Sequence, residues 1–433
     1  PLAALMFSAD GNFVEACAAA YDRSAYALMK DSFEQGSYSL RKALGRGHVR
    51  VLDQAALKSL CPGISQKTLC HSFRNVNTIE ELHQLHHSSR IIPEILAPAG
   101  TQEAARAAVN AGCDAVYLGG QLFGARAFAG NFDQEALLKT LDHCHLFGVR
   151  VYMTVNTLLK DPEMEQLIPY MEPYYRAGLD GVIVQDVGVI RALRKAYPSL
   201  ALHGSTQMSI ASSCGAEFLR AQGLTRVVPA RELSLMEIRQ IREQVDIEIE
   251  AFVHGAMCYA YSGKCLFSSF FGGRSGNRGR CAQPCRQLYD MGGGIREYSL
   301  SMKDMCTLSI LPQLIDAGID SFKIEGRMKN PSYVAAAVNA YRKARDAYLA
   351  CFSGSEGRTD RERLSEDQRK AYRIMAEELT GQLMDIYNRG GFHTGYYETA
   401  GSWREEKGLE MISRERPNHD GVLAGRVESV SGP

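Results

Sequence analysis

The chain has 433 residues, of which 45% are hydrophobic and 23% are charged. This composition is ordinary for a globular protein and excludes a disordered, a collagen-like or a small disulfide-stapled chain. Lysine plus arginine (49) balances aspartate plus glutamate (49), so net charge gives no sign of a nucleic-acid or membrane partner.

The first 88 residues carry no catalytic signature. Helix-like stretches at residues 12–30 and 80–87 predict a helical N-terminal arm, whose role the sequence does not indicate. No apolar run along the chain is long enough to span a bilayer, and no signal peptide is recognisable. The scattered cysteines fit a reducing compartment, so we expect a cytoplasmic protein.

From residue 91 onward, short apolar runs alternate with amphipathic helical stretches. Such alternation predicts βα units around a buried parallel sheet. About eight units over roughly 260 residues predict an α/β fold, a (β/α)8 TIM-like barrel over residues 89–350. A doubly wound open sheet is the alternative, but no nucleotide-binding fingerprint follows the first strand.

Polar side chains stand at the carboxyl ends of the predicted strands, where barrel enzymes place their chemistry. From this ring we take as candidate catalytic residues Asn156, Asp186, His203, Gln207, Glu325 and Arg327. His203 is the best single candidate for acid–base work, although each member taken alone fits a hydrogen-bonded structural residue better than a catalyst. Lys323 and Glu325 share one side of a strand, which fits either a structural ion pair or a site where Arg327 clamps a substrate carboxylate.

One barrel unit is too long and carries an insertion over residues 254–290. Four of the chain's 12 cysteines lie there, at Cys258, Cys265, Cys281 and Cys285. Four thiolates this close can bind an iron–sulfur cluster or a tetrahedral zinc ion. The spacing favours the iron–sulfur cluster, because only the last pair approaches a zinc knuckle; unligated cysteines are the third possibility.

The same insertion is basic. Residues 251–289 contain no aspartate or glutamate and five permanent cations, which are Lys264, Arg274, Arg278, Arg280 and Arg286. The arginines are suited to gripping RNA phosphates, and nearby phenylalanines and tyrosines to stacking on unpaired bases. Equally, the arginines could neutralise an anionic cluster while the aromatic residues form core.

Beyond the barrel, residues 351–400 predict a helical linker. Residues 401–433 alternate like strands and predict the start of a C-terminal β domain that the chain truncates.

Five segments resemble the collagenase-like peptidase family, peptidase family U-32: residues 93–100, 114–120, 250–268, 276–286 and 323–329. The resemblance is close over about residues 91–350. Residues 416–427 look like the start of the extra C-terminal region of its long, ribosomal-RNA-type members.

The resemblance implies an RNA hydroxylase that forms a 5-hydroxypyrimidine in ribosomal RNA, or in the wobble position of transfer RNA. It implies prephenate as the oxygen source and a [4Fe-4S] cluster on Cys258, Cys265, Cys281 and Cys285. His203, Gln207, Glu325 and Arg327 lie in family motifs. The alternatives are a collagenase-like peptidase, an oxygen-independent hydroxylase of a quinone precursor, and a non-catalytic module with a structural metal clip. The peptidase lacks support in the sequence, which has no His-Glu-x-x-His helix and no Gly-x-Ser-x-Gly elbow.

Overall fold

In a computed structural model the chain forms two compact units, residues 1–89 and 90–433. The structure describes the backbone of residues 4–8, 15–21 and 49–53, and it describes residues 92–126, 130–352, 364–399 and 410–419 in full. Each unit is taken by itself below.

The described part of the first unit is a three-stranded sheet. Its strands are β1 (Ala4–Ser8), β2 (Glu15–Tyr21) and β3 (Val49–Asp53), with β1 in the centre, antiparallel to β2 and parallel to β3. The helix predicted over residues 12–30 is therefore wrong at β2. Its alanines favour a helix locally, but pairing with β1 overrides that weak preference. The helical stretch predicted at residues 80–87 lies outside the described residues.

The second unit contains the remaining strands. They are β4 (Glu94–Pro98), β5 (Ala115–Leu118), β6 (Arg150–Val155), β7 (Gly181–Val184), β8 (Ala201–Gly204), β9 (Arg226–Val227), β10 (Glu248–Ala256), β11 (Tyr289–Asp290), β12 (Arg296–Glu297), β13 (Asp304–Cys306), β14 (Ser321–Ile324) and β15 (Phe392–His393). Strands β4 to β10 pair in chain order, all parallel, and β14 pairs with both β10 and β4. This closes an eight-stranded parallel barrel and confirms the predicted TIM-like fold.

Helices cover the outside of the barrel, apart from α7 (Phe267–Gly272), which lies in the insertion. They are α1 (Gln102–Ala111), α2 (Gln134–Leu146), α3 (Asp161–Arg176), α4 (Val187–Ala196), α5 (Ser213–Ala221), α6 (Leu235–Gln244), α7 (Phe267–Gly272), α8 (Leu311–Asp316), α9 (Pro331–Ala350) and α10 (Glu366–Ile386). Helix α1 illustrates why they form. Thr101 caps its first turn, its alanines are buried against the barrel, and Gly112 ends it with a left-handed φ of 84°. Among the described residues, no helix has the length and hydropathy of a membrane span.

The interior of the barrel holds a buried ionic cluster. The Arg226 guanidinium lies 2.8 Å from a Glu94 oxygen and 3.2 Å from a Glu250 oxygen, and the Lys323 ammonium lies 2.6 Å from the other Glu250 oxygen. Buried charges are tolerated when they are paired in this way. Lys323 therefore pairs with Glu250 on the neighbouring strand β10, and the predicted ion pair is structural.

The insertion follows β10 and returns to the barrel at β14. Residues 254–290 contain the short helix α7, and the chain continues to β14 through the hairpin β11–β12, β13, which runs antiparallel to β10, and α8. The predicted helical linker at residues 351–400 contains α10 and also β15, which extends the sheet beside β13. Most of the predicted C-terminal β domain lies outside the described residues; Ile412 forms a bridge with Met302.

Candidate active site

A cavity of about 460 Å³ opens at the carboxyl ends of the barrel strands, under the insertion. Loops after β5, β6, β8, β9 and β14 line one side, and the insertion lines the other. This is the position where barrel enzymes bind their substrates. The cavity belongs entirely to the second unit.

All four cysteines of the insertion line this cavity. None forms a disulfide; Cys258 and Cys281 are exposed, while Cys265 and Cys285 are half-buried. Burial raises the pKa of the Cys285 thiol, Arg286 opposes that shift, and the other three thiols are near enough to raise it further. Among the described residues, no group of three or more His, Cys, Asp or Glu side chains is arranged to hold a metal ion.

Hydrogen bonds hold the cysteine segment in shape. The Gln283 N–H donates to the Cys281 sulfur at 3.3 Å, and the Ser268 hydroxyl lies 3.8 Å from the same sulfur. The Ser268 oxygen also accepts from the Ala282 N–H at 3.0 Å. Helix α7 is thus bonded directly to the segment that carries Cys281.

Two of the four predicted RNA-binding arginines hold the insertion in place. Arg286 donates to the Ser301 hydroxyl and the Met257 carbonyl, both at 2.9 Å, and to the Met302 carbonyl. Arg278 forms an ion pair with Glu163 on α3. Their guanidinium groups are therefore engaged inside the protein, and the prediction that they grip phosphates is not supported by their contacts. Arg274 and Arg280 are exposed.

Glu325 lies in the cavity among arginines. The Arg126 guanidinium is 3.2 Å from one of its oxygens, and Arg327 donates to the Thr154 hydroxyl at 3.1 Å close by. Burial alone would raise the pKa of Glu325, but Arg126, Arg231 and Arg327 outweigh it and hold the pKa at about 2. Glu325 is therefore a permanent carboxylate that accepts hydrogen bonds and orients Arg126.

The cavity carries a large excess of positive charge. Among its described lining residues, Glu325 is the one carboxylate, against seven cations, which are Arg126, Arg231, Arg286, Lys323, Arg327, Lys329 and Arg389. Three of these cations pair with a carboxylate, Arg126 with Glu325, Lys323 with Glu250 and Arg389 with Asp304. The other four form no ion pair within the described part of the chain. Because buried charge is costly without a counter-charge, this cavity is suited to an anionic ligand.

Lys329 is the most perturbed of these cations. Its ammonium lies 2.9 Å from the centre of the Tyr387 ring, and the residue is half-buried. Burial lowers the pKa of Lys329 to about 7, and Arg389 acts in the same direction. Its charge is therefore poised near neutral pH, where a bound anion would stabilise it.

Two predicted amide residues, Asn156 and Gln207, line the cavity. The Asn156 side-chain oxygen accepts from the Ala125 N–H at 3.0 Å, which leaves its amino group toward the cavity lining. Gln207 is buried, and its side-chain oxygen has no hydrogen-bond partner in the described structure. Gly263 packs against it with a left-handed φ of 79°, and a Cβ there would come within 2.9 Å of the Gln207 side chain. The side-chain oxygen of Gln207 is thus able to accept a hydrogen bond from a ligand in the cavity.

His203 and Asp186 are placed elsewhere. His203 is buried in the barrel with its ring 4.6 Å from that of Tyr152, and it does not line the cavity. Burial and then Arg226 lower the pKa of His203 well below its usual value, so the ring is neutral. Asp186 caps α4 through the Gly188 and Val189 N–H groups and accepts from the Leu159 N–H at 3.0 Å. The contacts of Asp186 are those of a helix cap, because its oxygens already serve three backbone donors.

Sequence reasoning missed Arg126, Arg231, Lys329 and Arg389 as members of the site. Arg231 follows the short strand β9, and the rule that placed Asn156 at a strand end could have found it. Lys329 is the last residue of the family-like segment 323–329, but the sequence assigned no role to this lysine. Arg389 follows α10, and no signal in the sequence connects it with the barrel.

Comparisons with known proteins identify the family of this chain. A profile of the family described as peptidase family U32 matches residues 100–406. A "tRNA hydroxylation protein P1" of Bacillus subtilis is 42% identical over 60% of this chain and 64% of its own length. A 23S ribosomal RNA 5-hydroxycytidine synthase of Escherichia coli is 38% identical over 78% of this chain and 49% of its own length. A "Collagenase" of Porphyromonas gingivalis is 33% identical over 73% of this chain and 76% of its own length. The chain thus spans about half to two thirds of the length of the first two relatives.

Proposed function

This chain belongs to peptidase family U32, and from that premise we propose that it is an iron–sulfur-dependent RNA hydroxylase that forms a 5-hydroxypyrimidine in ribosomal RNA. The relatives named for hydroxylation of transfer and ribosomal RNA, at 42% and 38% identity, support this reaction class. One observation carries the proposal: four free thiols and an excess of cations face the same cavity. The alternative RNA substrate is a wobble uridine of transfer RNA.

The proposed cofactor is an iron–sulfur cluster, and the chemistry of the available donor groups fits it. Cys258, Cys265, Cys281 and Cys285 would hold it, since four thiols are the usual ligands of such clusters. The Gln283 N–H and Ser268 hydroxyl already point at the Cys281 sulfur, and hydrogen bonds of this kind tune a cluster. When bound, the cluster supplies electron transfer or a site that polarises an oxygenated substrate.

The proposed oxygen source is prephenate, a dicarboxylate. Its carboxylates match Arg231, Arg327 and Lys329, which line the cavity and form no ion pair in the described structure, and Arg327 offers the planar fork that binds a carboxylate bidentately. Arg231 is held in place by the Ala256 carbonyl at 2.8 Å and by the Phe252 ring at 3.7 Å. These residues bind and orient the anion. Gln207, with its unpartnered oxygen, would accept a hydrogen bond from the pyrimidine.

Nucleoside mass spectrometry of RNA from a strain that lacks this gene tests the proposal. We expect one 5-hydroxypyrimidine to disappear from ribosomal RNA and to return when the gene is restored. Its disappearance from transfer RNA alone would move the substrate to the wobble uridine. Unchanged levels in both RNA classes would refute RNA hydroxylation.

A collagenase-like peptidase is the second candidate, favoured by the relative named collagenase. Serine and cysteine peptidases need a base beside the nucleophile, and no histidine lines the described part of the cavity. We therefore place this function second. Cleavage of gelatin by the purified protein, lost on substitution of one cavity residue, would establish it.

The charge of Lys329 predicts a pH dependence of anion binding. With a pKa of about 7 the ammonium is present below neutral pH and is lost above it. If the anion binds only the charged form, the Kd for prephenate rises about tenfold between about pH 6 and pH 8. Isothermal titration calorimetry measures the Kd for prephenate at each pH.

Lys329→Met should weaken binding at the lower pH and flatten the pH profile. Lys264→Met is the matched control, because Lys264 is exposed and does not line the cavity. A profile equally steep in Lys329→Met and wild type would assign the titration to another group.

A further inference from the structure

An aromatic surface stands beside the cavity on the insertion. Phe270 and Phe271 on α7 are 80% and 79% exposed, and Tyr259 and Tyr261 are 51% and 49% exposed. Large apolar side chains are normally scattered singly on protein surfaces, whereas this segment of thirteen residues exposes five, these four and Leu266 at 52%. Such a concentration in one short segment favours a ligand-binding surface. The name aromatic platform is used below for Tyr259, Tyr261, Phe270 and Phe271.

Packing contacts hold the Phe271 ring of the platform. The Phe271 ring packs edge-on against Phe267 at 4.9 Å, and Phe267 stacks on Tyr289 at 6.4 Å. The Tyr289 hydroxyl donates to the Pro284 carbonyl at 2.9 Å, directly before Cys285. Rings that are fixed before binding lose little entropy when a ligand stacks on them.

The platform is also fixed in position relative to the cysteines. Ser268, which lies between Phe267 and Phe270 on α7, is 2% exposed. Its oxygen accepts from the Ala282 N–H at 3.0 Å. Helix α7, which carries Phe270 and Phe271, is therefore hydrogen-bonded to the segment that carries Cys281 and Cys285, and its Ser268 lines the cavity.

The charge around the platform selects the chemistry of its ligand. Residues 251–289 include no acidic residue and five cations, and Lys264, Arg274 and Arg280 among them are exposed. An apolar surface bordered by cations, with no acidic residue in the same segment, is complementary to a polyanion that also carries flat apolar faces. Unpaired nucleotides have both features, because every base has a stacking face and every link has a phosphate.

We propose that the aromatic platform binds unpaired bases of the RNA substrate that flank the target pyrimidine, and so selects single-stranded or looped-out segments. This rests on the proposed function, because it takes RNA as the substrate. Bases inside a duplex are already stacked on each other, so their faces are unavailable to Phe270 and Phe271. A target base must also leave its stack to enter the cavity.

Fluorescence anisotropy with the cluster-loaded protein and a labelled single-stranded oligoribonucleotide tests the platform. The variant F270A/F271A should bind it at least about tenfold more weakly than wild type, while F270Y/F271Y should bind like wild type. A duplex of the same sequence should bind wild type more weakly than the single strand, and the alanine variant should bind the duplex no worse than wild type does.

The matched control is L146A/F147A, which removes two side chains that are 79% and 58% exposed at the end of α2 and the start of the loop to β6. This loop lies at the opposite end of the barrel from the cavity. The control should bind the single strand like wild type. An equal loss in the control and in F270A/F271A would mean that exposed apolar area, and not the platform, drives binding, and would overturn the proposal.

The outcomes separate this proposal from the proposed function. If wild type hydroxylates RNA and F270A/F271A binds single strands as well as wild type, the platform proposal fails and the function stands. If wild type binds single strands through the platform but hydroxylates no RNA, the function fails and the platform stands. If F270A/F271A changes only the oligomeric state seen by light scattering, the patch is a protein interface and the proposal is refuted.

Discussion

Replacing Cys258 with serine is expected to abolish RNA hydroxylation, with a loss of more than about a hundredfold. Cys258 lines the cavity with Cys265, Cys281 and Cys285, and a cluster held by four thiols loses one ligand in the variant. An alcohol is protonated at neutral pH and is a poor ligand for iron, so both cluster content and activity should fall together. Iron and sulfide content after anaerobic purification, together with the yield of hydroxylated nucleoside, measures the effect.

Cys214→Ser is the matched control, because Cys214 is an exposed free cysteine outside the cavity. It should retain full iron, sulfide and activity. Zinc in wild type in place of iron and sulfide would favour the zinc alternative. If Cys258→Ser and Cys285→Ser both unfold, as circular dichroism would reveal, the cysteines form a structural clip and the catalytic assignment is wrong. Full activity in Cys258→Ser would remove that cysteine from the site.

Replacing Arg226 with methionine is expected to lower the free energy of unfolding by about 3–5 kcal/mol. Arg226 is 2% exposed and bridges Glu94 and Glu250, which are also buried. Its removal leaves two carboxylates in the barrel interior with less compensation. The third ion pair of Arg226, with Glu248, adds little to the free energy of unfolding because the Glu248 side chain is 49% exposed. Urea denaturation followed by circular dichroism gives the free energy.

Arg220→Met supplies the comparison for this prediction. Arg220 pairs with Glu217 at 2.7 Å, but both side chains are about half exposed. Its loss should change the free energy of unfolding by at most about 1 kcal/mol. If Arg226→Met lowers the free energy of unfolding by no more than Arg220→Met does, the buried cluster does not contribute to stability as its geometry indicates.

The barrel could be predicted because its strands form a repeated pattern in the sequence. Runs such as those at β4, β6 and β7 are short and apolar, and each is followed by a helix. The first unit could not be predicted in the same way. Strand β2 is alanine-rich and carries no strand signal of its own, so its conformation depends on pairing with β1, which is a non-local contact.

The site was predicted in part. The cysteines and Glu325, Arg327, Asn156 and Gln207 meet in one cavity because strand ends and the insertion converge there. His203 points into the barrel interior beside Tyr152 and does not line the cavity, because a position near a strand end does not fix how deep a side chain lies. The full excess of cations could not be foreseen: a strand end points to Arg231, but Arg126 and Arg389 come from loops far apart in the sequence.

The most direct test of RNA hydroxylation uses the purified protein. RNA that lacks the modification is incubated anaerobically with iron–sulfur-loaded protein and prephenate, and its nucleosides are analysed by mass spectrometry. We predict that a 5-hydroxypyrimidine forms in ribosomal RNA and that its formation requires both the loaded protein and prephenate. No hydroxylated nucleoside in ribosomal or transfer RNA, with a fully loaded protein, would contradict the proposed function.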